Sequence, residues 1–146
     1  MRDDPDFDVE DFLPYLLNQA AEASSLEFQR VYNDRYGMLR NEWRVLFHLG
    51  IYGRMTASDI GARAQMHKTK ISRAVQRLAE RRYLIRQRDE TDRRVEHLEL
   101  TPTGQKVYAD LRNVARDYND ALVEGLADAD VARLRSVLRA LAKRRG

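Results

Sequence analysis

Lys68, Thr69, Lys70, Ser72, Arg73, Gln76 and Arg77 all fall inside the stretch "KTKISRAVQR". Every one of these side chains can donate a hydrogen bond, and four carry a positive charge. Such a set suits a polyanion with readable edges. Arginine pairs bidentately with guanine, glutamine with adenine, and serine or threonine with either, while lysine and arginine also reach phosphate oxygens. Arg73 is the best single candidate for a guanine, and phosphate is the better partner for Lys68 and Lys70. A second set, Asp92, Arg93 and Arg94, lies in the polar hexamer "DETDRR". An arginine on a slim turn suits the negative potential of a narrow A·T-rich minor groove; a surface turn with mutually neutralising charges is the competing reading. Ser58, with Thr56, can donate to a phosphate at a helix N-terminus, although capping alone explains Thr56 equally well.

The elements that must position these groups follow from periodicity. From about Lys68 to Arg82, the apolar residues Ile71, Ala74, Val75 and Leu78 fall at i, i+3, i+4 and i+7. That spacing predicts a helix docked by one stripe, with its cationic face outward. Upstream, Thr56 with Asp59 three positions on is a variant capping box that opens a short helix carrying Ile60 and Ala64. "RNEWRVLFHLGIYG" sets Trp43, Leu46, Phe47, Gly50 and Ile51 at helical spacing and closes with Gly53. Two helices, a short connection and an outward basic helix make a helix-turn-helix. Downstream, "LIRQR" and "VEHLEL" read as two strands with "DETDRR" projecting between them, and a hairpin placed there is a wing.

Longer helices flank this module. Leu13, Leu17, Ala20, Ser24, Phe28 and Val31 mark one, with Asp11 as its expected N-cap and Gly37 as its stop. Thr101 as N-cap and Pro102 at the first helical position open another, carrying Val107, Leu111, Val114, Tyr118 and Ala121. Val131, Leu134, Leu138 and Leu141 mark a last one. The expected fold is mostly α (α+β): one domain over 1–146, with a winged helix-turn-helix at 39–101 and helical segments at 9–37 and 102–146. The flanking helices carry more apolar positions than a three-helix winged module requires. An isologous dimer would bury that surplus, or the helices complete a monomeric core.

Composition narrows the function. Between Arg63 and Arg94 there are eleven Lys/Arg against four Asp/Glu, a net of +7 within a chain of formal net charge +3. That segregation is the footprint expected for a nucleic acid, although a solvated charged face would look the same. The 146 residues contain no cysteine, which excludes disulfides, thiolate zinc sites and thiol redox sensing. His48, His67 and His97 sit on different elements, so no metal site is expected. The start, "MRDDPDFDVED", is acidic and lacks an apolar h-region, and no long apolar run follows; a cytoplasmic protein without membrane or cofactor is expected. Ser-His-Asp, nucleotide-loop and HExxH patterns are missing, so the chain does not read as an enzyme.

The stretch "KTKISRAVQRLAERRYLIRQRDETDRRVEHLELTPTG", together with "NEWRVL", resembles the MarR family of bacterial transcriptional regulators over nearly the whole chain. The resemblance places Ser72 and Arg73 in the recognition helix, Leu78 in its core face, "DETDRR" as the wing and "LTPTG" as entry to a dimer helix. It implies a winged helix-turn-helix homodimer with intertwined terminal helices, binding a pseudo-palindromic operator in double-stranded DNA as a repressor. It also implies that Asp92 orients the adjacent basic residues and that one wing arginine enters the minor groove, without ranking Arg93 against Arg94. Many family members bind a small aromatic or phenolic acid between dimer helices and winged module. Candidates here are Phe12, Tyr15, Trp43, Arg44, Phe47, His48 and Tyr118, each of which core packing also explains. Tyr83 departs from the family, which usually has glycine there; either positive φ is not needed at that position or strain is tolerated. The alternative function is a winged-helix protein-interaction module without operator specificity.

Overall fold

The computed structural model describes residues 4–143. The first helix, α1 (Leu13–Tyr36), runs for 24 residues and closes at Gly37, whose N–H returns to the Asn33 carbonyl. Its start differs from expectation. Asp11 lies in a single 3-10 turn (Val9–Asp11) capped by the Asp8 side chain, and Phe12 takes the N-cap of α1 without a side-chain hydrogen bond. Pro14 accounts for the shift, since its fixed φ and missing N–H suit the first turn of a helix beginning at Leu13.

Next come α2 (Arg40–Tyr52), α3 (Ala57–Ala64) and α4 (Lys68–Glu80). The expected capping box forms: Thr56 Oγ1 accepts from the Asp59 N–H at 3.1 Å, and Asp59 Oδ2 accepts from the Thr56 N–H at 3.3 Å. The apolar stripe of α4 is buried as predicted at Ile71, Ala74, Val75 and Leu78. It packs into a core with Met38, Val45, Leu46, Leu49, Ile60 and Leu98.

Helix α4 stops at Glu80, two residues before the expected Arg82. The Tyr83 N–H bonds the Leu78 carbonyl at 2.9 Å and the Arg82 N–H bonds the Ala79 carbonyl at 3.0 Å. This is a Schellman turn, with its left-handed position (φ 64°) filled by Arg82. Positive φ is therefore needed at Arg82 and not at Tyr83, which packs against the core.

The sheet has three strands where two were expected. β1 (Met55–Thr56), β2 (Leu84–Arg88) and β3 (Glu96–Leu100) form an antiparallel sheet in the order β1-β3-β2. Leu84 faces Leu100, Arg86 faces Leu98, and Met55 faces Leu98 from the other side. A two-residue strand shows no alternation, so periodicity carries no signal for β1. Val95, expected to begin the last strand, instead closes the wing turn by accepting from the Asp89 N–H at 2.9 Å.

α5 (Pro102–Leu122) opens as expected, with Thr101 Oγ1 accepting from the Gly104 N–H at 3.0 Å. Two glycines let it approach closely. A Cβ on Gly104 would lie 1.9 Å from the Tyr83 carbonyl oxygen, and one on Gly50 would lie 2.4 Å from the Tyr108 ring. The chain divides into two compact units, Met1–Val114 and Ala115–Gly146. The second holds the end of α5 and α6 (Asp128–Lys143), which exposes Leu134, Val137, Leu138 and Leu141. The expected boundaries at 1 and 146 lie outside the described residues. Among the described residues, no helix is long and apolar enough to cross a membrane.

Candidate nucleic-acid interface

On α4, the face opposite the buried stripe carries Lys68, Thr69, Ser72, Arg73 and Gln76, all exposed. His67 caps this helix, its Nδ1 accepting from the Thr69 N–H at 3.3 Å. Lys68 and Lys70 therefore project from a first turn that contains no acidic residue. Helix α3 starts nearby: Ser58, Lys68 and Ser72 line one cleft between the two helices. Gln76 is partly occupied by Glu80 at 3.3 Å. Arg77 is tied to the helix behind it: its Nε pairs with the buried Glu42 of α2 at 3.0 Å.

The wing is organised by two carboxylates. Asp89 accepts from Thr91 Oγ1 at 2.7 Å, His97 Nε2 at 3.0 Å, and the Asp92 and Thr91 N–H groups at 3.0 and 3.1 Å. Those bonds, the Thr91 hydroxyl first and His97 next, hold its carboxyl well below the usual carboxylate range. Asp92 grips Arg94 through Nε at 3.1 Å and Nη2 at 3.2 Å and also accepts from the Arg94 N–H at 3.0 Å. These bonds, the Arg94 side chain first, lower its carboxyl as well. The Arg94 side chain nonetheless stays 91% exposed. Arg88 donates to the Arg93 carbonyl at 2.6 Å, which fixes the backbone while the Arg93 side chain remains exposed.

Sequence reasoning passed over Asp89, Arg88 and His97. The signal for Asp89 was present: an Asp two residues before Thr91 is an Asx-turn pattern. His97 offered none, since its bond to Asp89 depends on hairpin register.

The expected effector residues separate into groups. Trp43, Phe47 and His48 form a row of tilted rings along α2, with centroids 5.1 Å apart for Trp43 and Phe47 and 4.4 Å for Phe47 and His48. Phe28 of α1 meets Trp43 edge-on at 5.1 Å. Arg44 is already engaged, donating Nη2 to the Ala64 carbonyl at 2.6 Å; burial, then the charge of Arg40, lowers its pKa. His48 Nδ1 lies 2.6 Å from the Arg44 carbonyl, which holds the ring in its tautomer with that nitrogen protonated. Phe12 and Tyr15 are not part of this cluster. They are exposed at the start of α1, about 20 Å along the helix from Phe28, and Phe12 packs on Phe7. Tyr118 belongs to the second unit and is half-buried.

A sequence model of the MarR family matches residues 36–95. The HTH-type transcriptional regulator FarR of Neisseria gonorrhoeae is 26% identical over 127 residues, covering 87% of this chain and 86% of that protein. The MarR family transcriptional regulator SPO1453 of Silicibacter pomeroyi DSS-3 is 31% identical, covering 93% of this chain and 96% of its own, with a TM-score of 0.78. BpsR of Bordetella bronchiseptica, whose DNA binding is regulated by 6-hydroxynicotinic acid, has the same fold at 22% identity, covering 91% of this chain and 100% of its own, with a TM-score of 0.83.

Proposed function

This chain belongs to the MarR family of transcriptional regulators, and we propose that it represses transcription by binding a pseudo-palindromic DNA operator as a homodimer. The observation that carries this reading is the exposed face of α4, where Lys68, Thr69, Ser72 and Arg73 stand clear of the buried stripe beside a wing that presents Arg94. A helix entering the major groove by its N-terminal half would bring Arg73 and Gln76 to base edges, with Lys68, Lys70, Thr56 and Ser58 toward phosphates. The wing, through Asp92, Arg93 and Arg94, would reach the neighbouring minor groove.

Dimerisation through segments 9–37 and 102–146 would set two copies of the module at 39–101 about 34 Å apart, one turn of DNA. Its support is apolar surface: α1 exposes Leu13, Leu16 and Leu17, with Phe12 at its cap, and α6 exposes Leu134, Val137, Leu138 and Leu141. For an effector, the α2 aromatics Trp43 and Phe47 with Arg44 are the groups suited to an aromatic acid. The regulation of BpsR by 6-hydroxynicotinic acid supports that class of ligand.

The test is selection of bound duplexes from a random pool, followed by challenge with aromatic acids. An inverted repeat should be enriched, and an acid should release it. Enrichment of no sequence, with binding to acidic proteins instead, favours an interaction module.

A further inference from the structure

Tyr36 joins the end of α1 to the middle of α5 and to the turn that follows α4. As the last residue of α1, it donates its hydroxyl to Asp110 Oδ2 of α5 at 2.5 Å. Arg35 donates Nη1 to both oxygens of the same carboxylate at 3.0 Å. From the other side Arg81, the C-cap of α4, donates to the Tyr36 carbonyl. Tyr83, in the turn that follows, stands edge-on to the Tyr36 ring with centroids 6.5 Å apart. The start of α5 is tied to the same turn: the Thr101 hydroxyl donates to the Arg82 carbonyl at 2.6 Å, and the Thr101 N–H to that of Tyr83 at 3.0 Å.

We propose that Tyr36 is a positioning residue for DNA recognition, its hydroxyl bond to Asp110 and its carbonyl bond from Arg81 fixing the angle between α5 and the recognition helix α4. Apolar contacts are non-directional and let helices slide, whereas charge-assisted hydrogen bonds hold one geometry. The core holds α5 against α2 through Gly50 and Tyr108, but the C-terminal end of α4 meets α1 through Arg81 and Tyr36, by directional bonds. Burial, then the bond to Asp110, pushes the Tyr36 phenol up to about 12, so it remains a donor at physiological pH. In a dimer this angle sets the separation of the two recognition helices; that consequence rests on the homodimeric reading above.

Two measurements test the proposal. The chain has no cysteine, so Ser72→Cys with Asn113→Cys gives one nitroxide pair across α4 and α5, read by pulsed electron paramagnetic resonance with unlabelled chain in excess. The parent should give one narrow distance distribution. Tyr36→Phe and Asp110→Ala should each broaden or shift it at unchanged helical circular dichroism. On DNA, inserting one base pair between half-sites should weaken the parent by about tenfold and Tyr36→Phe by less than about threefold, with non-specific binding equal. An unchanged distance distribution in both folded variants, or a full spacing penalty in Tyr36→Phe, overturns the proposal. Failure of the parent to bind any operator counts against the function above, while the distance measurement, needing no DNA, still decides this one.

Discussion

Arg77 Nε lies 3.0 Å from Glu42 Oε2, joining α4 to α2 through a carboxylate that is 2% exposed. The other oxygen, Oε1, has no hydrogen-bond partner among the described residues, so Arg77 is the one cation paired with this carboxylate there. Arg77→Ala should therefore destabilise the protein by about 1–3 kcal/mol, because it leaves a buried acceptor unmatched. Glu42→Gln removes the charge and should cost less. Denaturant midpoints for the two variants check this; a smaller loss for Arg77→Ala than for Glu42→Gln contradicts it.

Arg82 occupies a left-handed position, at φ 64°, that suits glycine. Arg82→Gly should raise stability by about 1 kcal/mol, since the strain of a Cβ in that region is removed. The thermal midpoint should rise by about 2–4 °C. A fall would mean that contacts of the arginine side chain outweigh the backbone term.

The wing turn should be stable to acid. The Asp89 carboxyl is held low by Thr91 and then His97, so its contribution to the turn is full above the unfolded value of about 4 and fades only as pH drops through the lower folded value. The protection of the Thr91 and Asp92 amides relative to an unfolded chain should hold at pH 4 and fall at stronger acidity. Asp89→Ala, which removes the acceptor, should lose that protection already at pH 7. Loss of protection between pH 5 and 4 in the parent would contradict the assignment.

The clamp on Arg94 ranks the two wing arginines. Both Asp92 oxygens hold the Arg94 side chain, which stays exposed, so its ordering cost is met before DNA arrives. Arg94→Ala should weaken binding more than Arg93→Ala, and most where the flanks are A·T-rich. Asp92→Ala should reproduce part of that loss. Affinities on duplexes with A·T-rich and G·C-rich flanks decide it; equal losses for the two arginines remove the ranking.

The sequence revealed those parts of the fold that long periodic patterns specify. The stripe Ile71, Ala74, Val75 and Leu78 predicted α4 and its outward face, and the Thr56–Asp59 spacing predicted the cap of α3. What it missed depends on contacts distant in sequence. Glu42 precedes Arg77 by more than thirty positions, and Asp110 follows Tyr36 by 74, so no local pattern announces either pair. The third strand was too short to show alternation. Phe12 and Tyr15 have the right chemistry for an aromatic ligand, yet within this chain the length of α1 keeps them from Trp43. Residue type nominates a site, and the fold decides which nominees meet.

Base reading by α4 is decided by Arg73→Ala. Affinity is measured by fluorescence anisotropy on the selected operator and on a scrambled duplex, at several salt concentrations. The substitution should cost roughly 1–3 kcal/mol on the operator and relax preference at one position per half-site. The scrambled duplex should lose much less, by an amount that follows the loss of about one phosphate contact in the salt slope. Equal losses on both duplexes would show that Arg73 contributes charge alone and would contradict base reading by this face.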